Sequence, residues 1–206
     1  MKNLKSILLL VVLTFIVISC SENDSLVIEP IEAKTISNLH APQEQAGHGQ
    51  PISGEFTKFS FKEGKQVTDD NWDIAFRGLR VIINGGNKYG LTDEPERTGN
   101  ASLAVIKSPF KDVKETPTED KFKQDANGVY AITSDGGDDW YTYGNRIVTA
   151  NAGTILVVKT IDGNYAKMEI KSYYKDNPNT ITTSSEPRYY TFDYVYNPRV
   201  GDKSFQ

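Results

Sequence analysis

The feature that most constrains this chain is the stretch 150-ANAGTILVVKTIDGNYAKMEIKSYYKDN-177. Four successive large apolar residues, Ile155 to Val158, precede Asp162-Gly163; beyond it Ala166, Met168 and Ile170 alternate with Lys167, Glu169 and Lys171. β-Branched side chains are stiff at χ1 and suit a pleated surface. Gly after Asp supplies the positive φ of a tight reversal. The pattern predicts a hairpin. Its first strand is central and covered on both faces. Its second turns Ala166, Met168 and Ile170 to a core and Lys167, Glu169 and Lys171 to water.

The rest of the chain follows the same logic. The run 55-EFTKFSF-61 reads as a strand. Trp72–Phe76 and Arg80–Ile83 read as two more, with Gly78 at a bulge or bend and Gly85-Gly86 at a turn. Residues 87–102, polar and holding Pro95 and Gly99, form a long loop. An apolar run lies in 101–110, one helical turn near Thr118–Phe122, a short strand at 128–133, and a turn at 134–139. The last strand, Tyr189–Asn197, places Tyr190, Phe192, Tyr194 and Tyr196 on one side, either as core or as a wall against a flat aromatic ligand. No long helix-period apolar stripe occurs beyond the N-terminus, and the chain has 11 Tyr and 9 Phe. The expected fold is all-β: a single domain of antiparallel strands with long loops.

The N-terminus reads as a targeting segment. Lys2 and Lys5 precede an apolar run from Ile7 to Ile18, short for a bilayer span, which ends in Val17-Ile18-Ser19-Cys20. This resembles a lipobox, so residues 1–20 are expected to be a lipoprotein signal peptide, with Cys20 as the lipidated residue. Cys20 is the sole Cys, so no internal disulfide forms. Residues 21–36 read as a linker and 37–206 as the folded domain. The acidic patch Ser21–Ser25 is either a surface-export signal or a solvated tether.

Removal of residues 1–20 leaves 21 basic against 27 acidic residues, which argues against a nucleic-acid partner. G-x-S-x-G, H-E-x-x-H and P-loop motifs are absent, so an enzyme is not expected. His40 and His48, eight apart in the Gly/Gln-rich stretch 38–54, are metal-ligand candidates or exposed loop imidazoles. Asp135, Asp138 and Asp139 lack calcium-loop spacing and read as a solvated turn. The run Asp93–Arg97 reads as a charged loop rim. Met168 is either a thioether ligand or core, its phase favouring core.

The segments 71-NWDIAFRGLRVIINGG-86, 161-IDGNYAKMEIKSYYKD-176 and 190-YTFDYVYNP-198 together resemble the HmuY family, haem-binding lipoproteins of Bacteroidetes. The resemblance implies an all-β fold whose cargo is haem. It also implies delivery to a TonB-dependent outer-membrane receptor, from a lipid-anchored position on the exterior of the outer membrane. The best-known member clamps the iron between two His. The matching positions here fall in Ala101–Ser134, which has no His or Met, and near Tyr143-Gly144-Asn145-Arg146. The candidate ligands are therefore Tyr143, His40, His48 and Met168, with Trp140, Tyr141, Asn145 and Arg146 as candidate pocket lining and no metal beyond the haem iron. The alternative is a surface adhesion module of the same fold whose ligand is not haem.

Overall fold

A computed structural model describes residues 31–47, 49–126, 128–132 and 140–206. Cys20, the targeting segment, His48 and the acids at 135, 138 and 139 lie outside the described residues. The strands are β1 (Ala33–His40), β2 (Glu44–Gln45), β3 (Ile52–Ser53), β4 (Thr57–Ser60), β5 (Lys65–Val67), β6 (Ile74–Arg77), β7 (Arg80–Ile83), β8 (Ser102–Lys107), β9 (Tyr141–Gly144), β10 (Ile147–Ala150), β11 (Thr154–Lys159), β12 (Tyr165–Tyr174) and β13 (Pro187–Asn197). Single 3-10 turns stand at Phe110–Asp112 and Glu119–Lys121, the second at the expected helical turn but with no side-chain cap from Thr118. Among the described residues no helix is long and apolar enough to cross a membrane.

Two antiparallel sheets carry the fold. One has the order β1-β13-β12-β11-β8 and the other β5-β4-β6-β7. They face each other through aromatic side chains. Phe59 meets Phe192 edge-on at 5.2 Å between ring centroids, and Phe76 lies 4.8 Å from Tyr190. Tyr190, Phe192 and Tyr194 are fully or nearly fully buried here, so the Tyr-rich face of β13 is core and not an open wall. Each such ring contributes roughly 1.5–3 kcal/mol by leaving water. Met168 sits in the same cluster with no exposure.

The predicted hairpin forms. β11 pairs with β12 from Ile155↔Glu169 to Lys159↔Tyr165, and β11 lies between β8 and β12. Gly163 takes φ 81° at the turn, and its N–H donates to the Thr160 carbonyl at 3.0 Å.

Four expectations are corrected. Lys167 and Glu169 do not face water: both are buried, at 4% and 5% exposure. The reason is a third apolar layer, in which Val113 and Phe205 cover Ile155, Val157 and Val195 on the outer face of the large sheet. Under that cover the Lys167 ammonium donates to the carbonyls of Phe110 (2.8 Å) and Val113 (2.7 Å) and lies over the Phe110 ring. Gly78 is not a bulge: with Leu79 it is the two-residue turn of the β6–β7 hairpin, closed by Arg77↔Arg80. The described part of 128–133 makes only an isolated bridge, Ala126↔Val129. Finally, β1 begins at Ala33, inside the stretch read as linker, because pairing with β13 recruits it.

Candidate ligand-binding site

The Asn-Trp-Asp segment is structural. Trp72 is fully buried. Asp73 Oδ2 accepts from the Phe61 N–H at 2.8 Å and Oδ1 from the Ile161 N–H at 2.9 Å, tying the β11–β12 turn to the small sheet. Burial outweighs these two bonds and raises the Asp73 carboxyl to about 6. Asn84, also fully buried, donates to the Trp72 carbonyl and accepts from the N–H groups of Thr98 and Gly99. This frame fixes β6 and β7 and both ends of the long loop that follows.

The β6–β7 turn opens onto a cavity of about 760 Å³. Gln43, the β2–β3 hairpin, Arg77, Leu79, Arg80, loop residues Gly90 to Thr92, and Tyr141 of β9 surround it. Arg77 and Arg80 are the charged residues among its described lining, and the Asp93 and Glu94 carboxylates stand close enough to act on Arg77. Arg77 is buried and donates to the carbonyls of Gly54 (2.8 Å) and Thr92 (2.5 Å), while its guanidinium lies 4.2 Å over the Phe56 ring. Arg80 lies 4.4 Å over Tyr130, which stacks on Tyr89 at 4.8 Å. A second cavity, about 500 Å³, sets Lys34 and Lys62 against Glu32 and Asp162, so its charges balance.

A buried charge network shapes the loop wall. The Glu94 carboxylate accepts the N–H groups of Tyr89 (3.1 Å), Gly90 (2.8 Å) and Leu91 (3.0 Å). Arg97 bridges Glu94 at 2.6 Å and Asp125 at 2.9 Å, with all three side chains essentially without exposure. Asp125 also accepts from the N–H groups of Ile83 and Ala131. Burial pushes the Glu94 carboxyl up, but the three backbone N–H groups and Arg97 outweigh it and hold it below the usual value. Burial wins at Asp125, which is raised. The reading of Asp93–Arg97 as a charged loop rim is therefore corrected at Glu94 and Arg97, which are buried.

Behind the cavity lies an aromatic cluster. Trp140, 3% exposed, is 4.8 Å from Tyr141 and 5.2 Å from Tyr190. The Tyr190 hydroxyl donates to the Gly78 carbonyl at 2.7 Å, which braces the turn beneath the cavity.

The predicted site residues divide. Tyr141 is on the wall and Trp140 stands behind it. Tyr143 is 63% exposed, two residues along β9 and so on the same strand face as Tyr141. Asn145 and Arg146 form the β9–β10 turn with φ 51° and 64°, off the cavity wall. His40 stacks on Tyr189 at 4.3 Å and is not a lining residue. Met168 is sealed in the core. Sequence reasoning missed Arg77 and Arg80. Their signal was two cations flanking Gly78-Leu79 in otherwise apolar strands. Among the described residues no group of three or more His, Cys, Asp or Glu is placed to hold a metal ion.

The HmuY protein family model matches residues 54–194, which hold both sheets apart from β1 and the end of β13, and most of the cavity wall. The chain belongs to the HmuY family. Among solved structures, this HmuY-family chain is similar to an apo HmuY analog from Tannerella forsythia, at 15% identity over 82% of this chain and 97% of that one, with a TM-score of 0.48. It is also similar to a Bacteroides vulgatus protein described as HmuY-like and haem-binding, at 16% identity over 82% and 93%, TM-score 0.47. A Bacteroides fragilis protein described as a lipoprotein gives 13% identity over 81% and 89%, TM-score 0.45. No curated protein matches the chain.

Proposed function

We propose that this protein is a haem carrier, lipid-anchored through Cys20 at the outer surface of the outer membrane, which passes its cargo to a TonB-dependent receptor. It acts by binding and not by catalysis. The observation that carries this reading is the cavity of about 760 Å³ beside β9, whose described lining joins apolar side chains to two arginines. That volume lies within the roughly 300–1,000 Å³ of small-molecule sites. Leu79, Ile52, Leu91 and Tyr141 offer a ring apolar contact, and Arg77 and Arg80 bring N–H donors to the same wall.

The described lining fits the macrocycle better than the metal. It holds no His, Met or Cys. Tyr143, exposed on the same strand face as Tyr141, is the phenol proposed to reach the iron. His48 stays a second proposal: the next residue in the chain, Gly49, lines the cavity.

Titration of the soluble domain with haemin tests the reading. A saturable, shifted Soret band is expected, and an unaltered haemin spectrum sinks it. With Tyr143→Phe, loss of a phenolate-to-iron charge-transfer band is expected; an unchanged band removes Tyr143 as a ligand. Affinity that survives His40→Ala with His48→Ala makes both imidazoles spectators.

A further inference from the structure

Resting on the reading of Cys20 as a lipid anchor, the way the domain stands on its membrane can be drawn from where the tether enters the fold. We infer that the end of the molecule opposite the cavity is a membrane-contact face. It sets Val200 and Lys62 against anionic lipid headgroups and leaves the cavity at the far end, away from the lipid.

Three features carry this. First, β1 separates the tether from the cavity. Ile31 packs on the outer apolar layer, and Ala33, the first residue of β1, pairs with Val195. At the other end of the strand His40 pairs with Tyr189, and the Ala41 carbonyl accepts from the N–H of Gly78 in the β6–β7 turn beneath the cavity. The strand spans roughly 25 Å. Residues 21–31 reach at most about 40 Å, whatever path they take. With the tether end down, little of that reach is needed; with the cavity end down, more than half of it is. The cavity end also exposes Ile52 and Tyr143, so it is the tether that chooses between the two ends. Second, Val200 is held out on a built turn. The Asp202 N–H donates to the Arg199 carbonyl at 3.1 Å, and Gly201 takes φ 76°. Asn197, fully buried, accepts from the Arg199 N–H and donates to the carbonyls of Asp202 and Ser204. Val200 at the tip is 91% exposed. An apolar side chain already fixed in water gains by entering a headgroup layer, with no loop to order first. Third, the cations around it stand outermost. Lys34, Lys62, Glu32 and Asp162 line the second cavity beside Val200. Lys62 pairs with Asp162 at 3.8 Å, but its side chain is 68% exposed against 26%. The Asp162 carboxylate is turned to the hydroxyls of Thr160 and Tyr196, which donate to it. Lys65, just after the β4–β5 turn, likewise stands more exposed than Glu63, its partner at 3.0 Å. In a chain whose formal net charge is −4, these pairs present their ammonium groups first, and an anionic lipid surface attracts them.

The test couples residues 20–206 through the sole thiol, Cys20, to maleimide-headgroup lipid in vesicles of brominated phosphatidylcholine and phosphatidylglycerol. Two variants are compared, Val200→Trp at the tether end and Ile52→Trp at the cavity end. Both positions are exposed, so neither change enters the core, and the native Trp72 and Trp140 are buried and give a common background. Both variants carry the same membrane-seeking indole, so a difference between them reads orientation. Bromine quenching of the added emission is expected to be at least three-fold greater for Val200→Trp than for Ile52→Trp. Equal quenching, greater quenching for Ile52→Trp, or none in either overturns the inference and leaves the anchor reading standing. The anchor is tested apart from this, by growing cells that make the full chain on an alkyne-bearing fatty acid. Label that disappears with Cys20→Ala is expected. A wild-type chain that takes up no label sinks the anchor reading, and this inference falls with it.

Discussion

Asp73 shows what one buried carboxylate does to the pH dependence of the whole chain. Its two oxygens hold two segments far apart in sequence, at Phe61 and Ile161, and it is 1% exposed. Its folded value is about 6 against an ordinary 3.8. A raised carboxyl binds its proton more tightly when folded than when unfolded. Its contribution is therefore fully present below about 3.8 and lost as pH rises through about 6. The shift corresponds to about 3 kcal/mol. Asp73→Asn cannot titrate and keeps one acceptor oxygen. Urea unfolding of both proteins from pH 8 to pH 4 should show the wild type gaining on the variant, by on the order of 2–3 kcal/mol, as the pH falls. A gap constant across that range would mean that Asp73 is not raised. This role was half-legible. The Asn-Trp-Asp run stands out in the sequence, but its partners lie 12 and 88 residues away.

At the scale of strands and turns, the sequence read best where one period applied. The β11–β12 hairpin was predictable because a buried run, a Gly at the turn and an alternating return all agree. The same alternation misplaced Lys167 and Glu169, because local pattern cannot say that the 110–122 segment and Phe205 cover the second face. The β9–β10 turn carries a different lesson. Asn145-Arg146 adopt the left-handed backbone at both positions of a two-residue loop, where Asn-Gly is the favoured pair. An Arg there costs about 1–2 kcal/mol relative to Gly. Arg146→Gly should accordingly raise the thermal midpoint by roughly 2–8 °C in a calorimetric scan. Because Arg146 stands off the cavity wall, haemin affinity should stay within two-fold. A stabilised variant with lost affinity would return Arg146 to the site.

Across the whole molecule, the cavity is a product of long-range closure and so was the least legible part. Its described walls come from residues 43–45, 49–52, 77–80, 90–92 and 141, and no spacing rule links these segments. What ties the 90–92 segment to β7 is the Glu94–Arg97–Asp125 network. Arg97 bridges two buried carboxylates, Glu94 gathers three loop N–H groups, and Asp125 clips Ile83 and Ala131 to the same guanidinium. Arg97→Met keeps the volume and removes the cation. Two buried acids are then left unpaired, a loss of about 3–5 kcal/mol. The effect is not uniform over the fold. Arg97 lies over Trp72 of the separate apolar cluster with Phe56 and Ile82, so the amides of β11 to β13 should keep their order of protection, whereas the Tyr89, Gly90 and Leu91 amides should exchange faster once the Glu94 carboxylate takes up a proton. Leu91 and Thr92 then no longer hold the wall, and haemin affinity should fall by about ten-fold or more. Hydrogen exchange read residue by residue, alongside a haemin titration, separates the two consequences. Unchanged exchange at Tyr89–Leu91 would show that the loop stands without its ion network. Fast exchange with intact affinity would show that the loop is not the wall that matters.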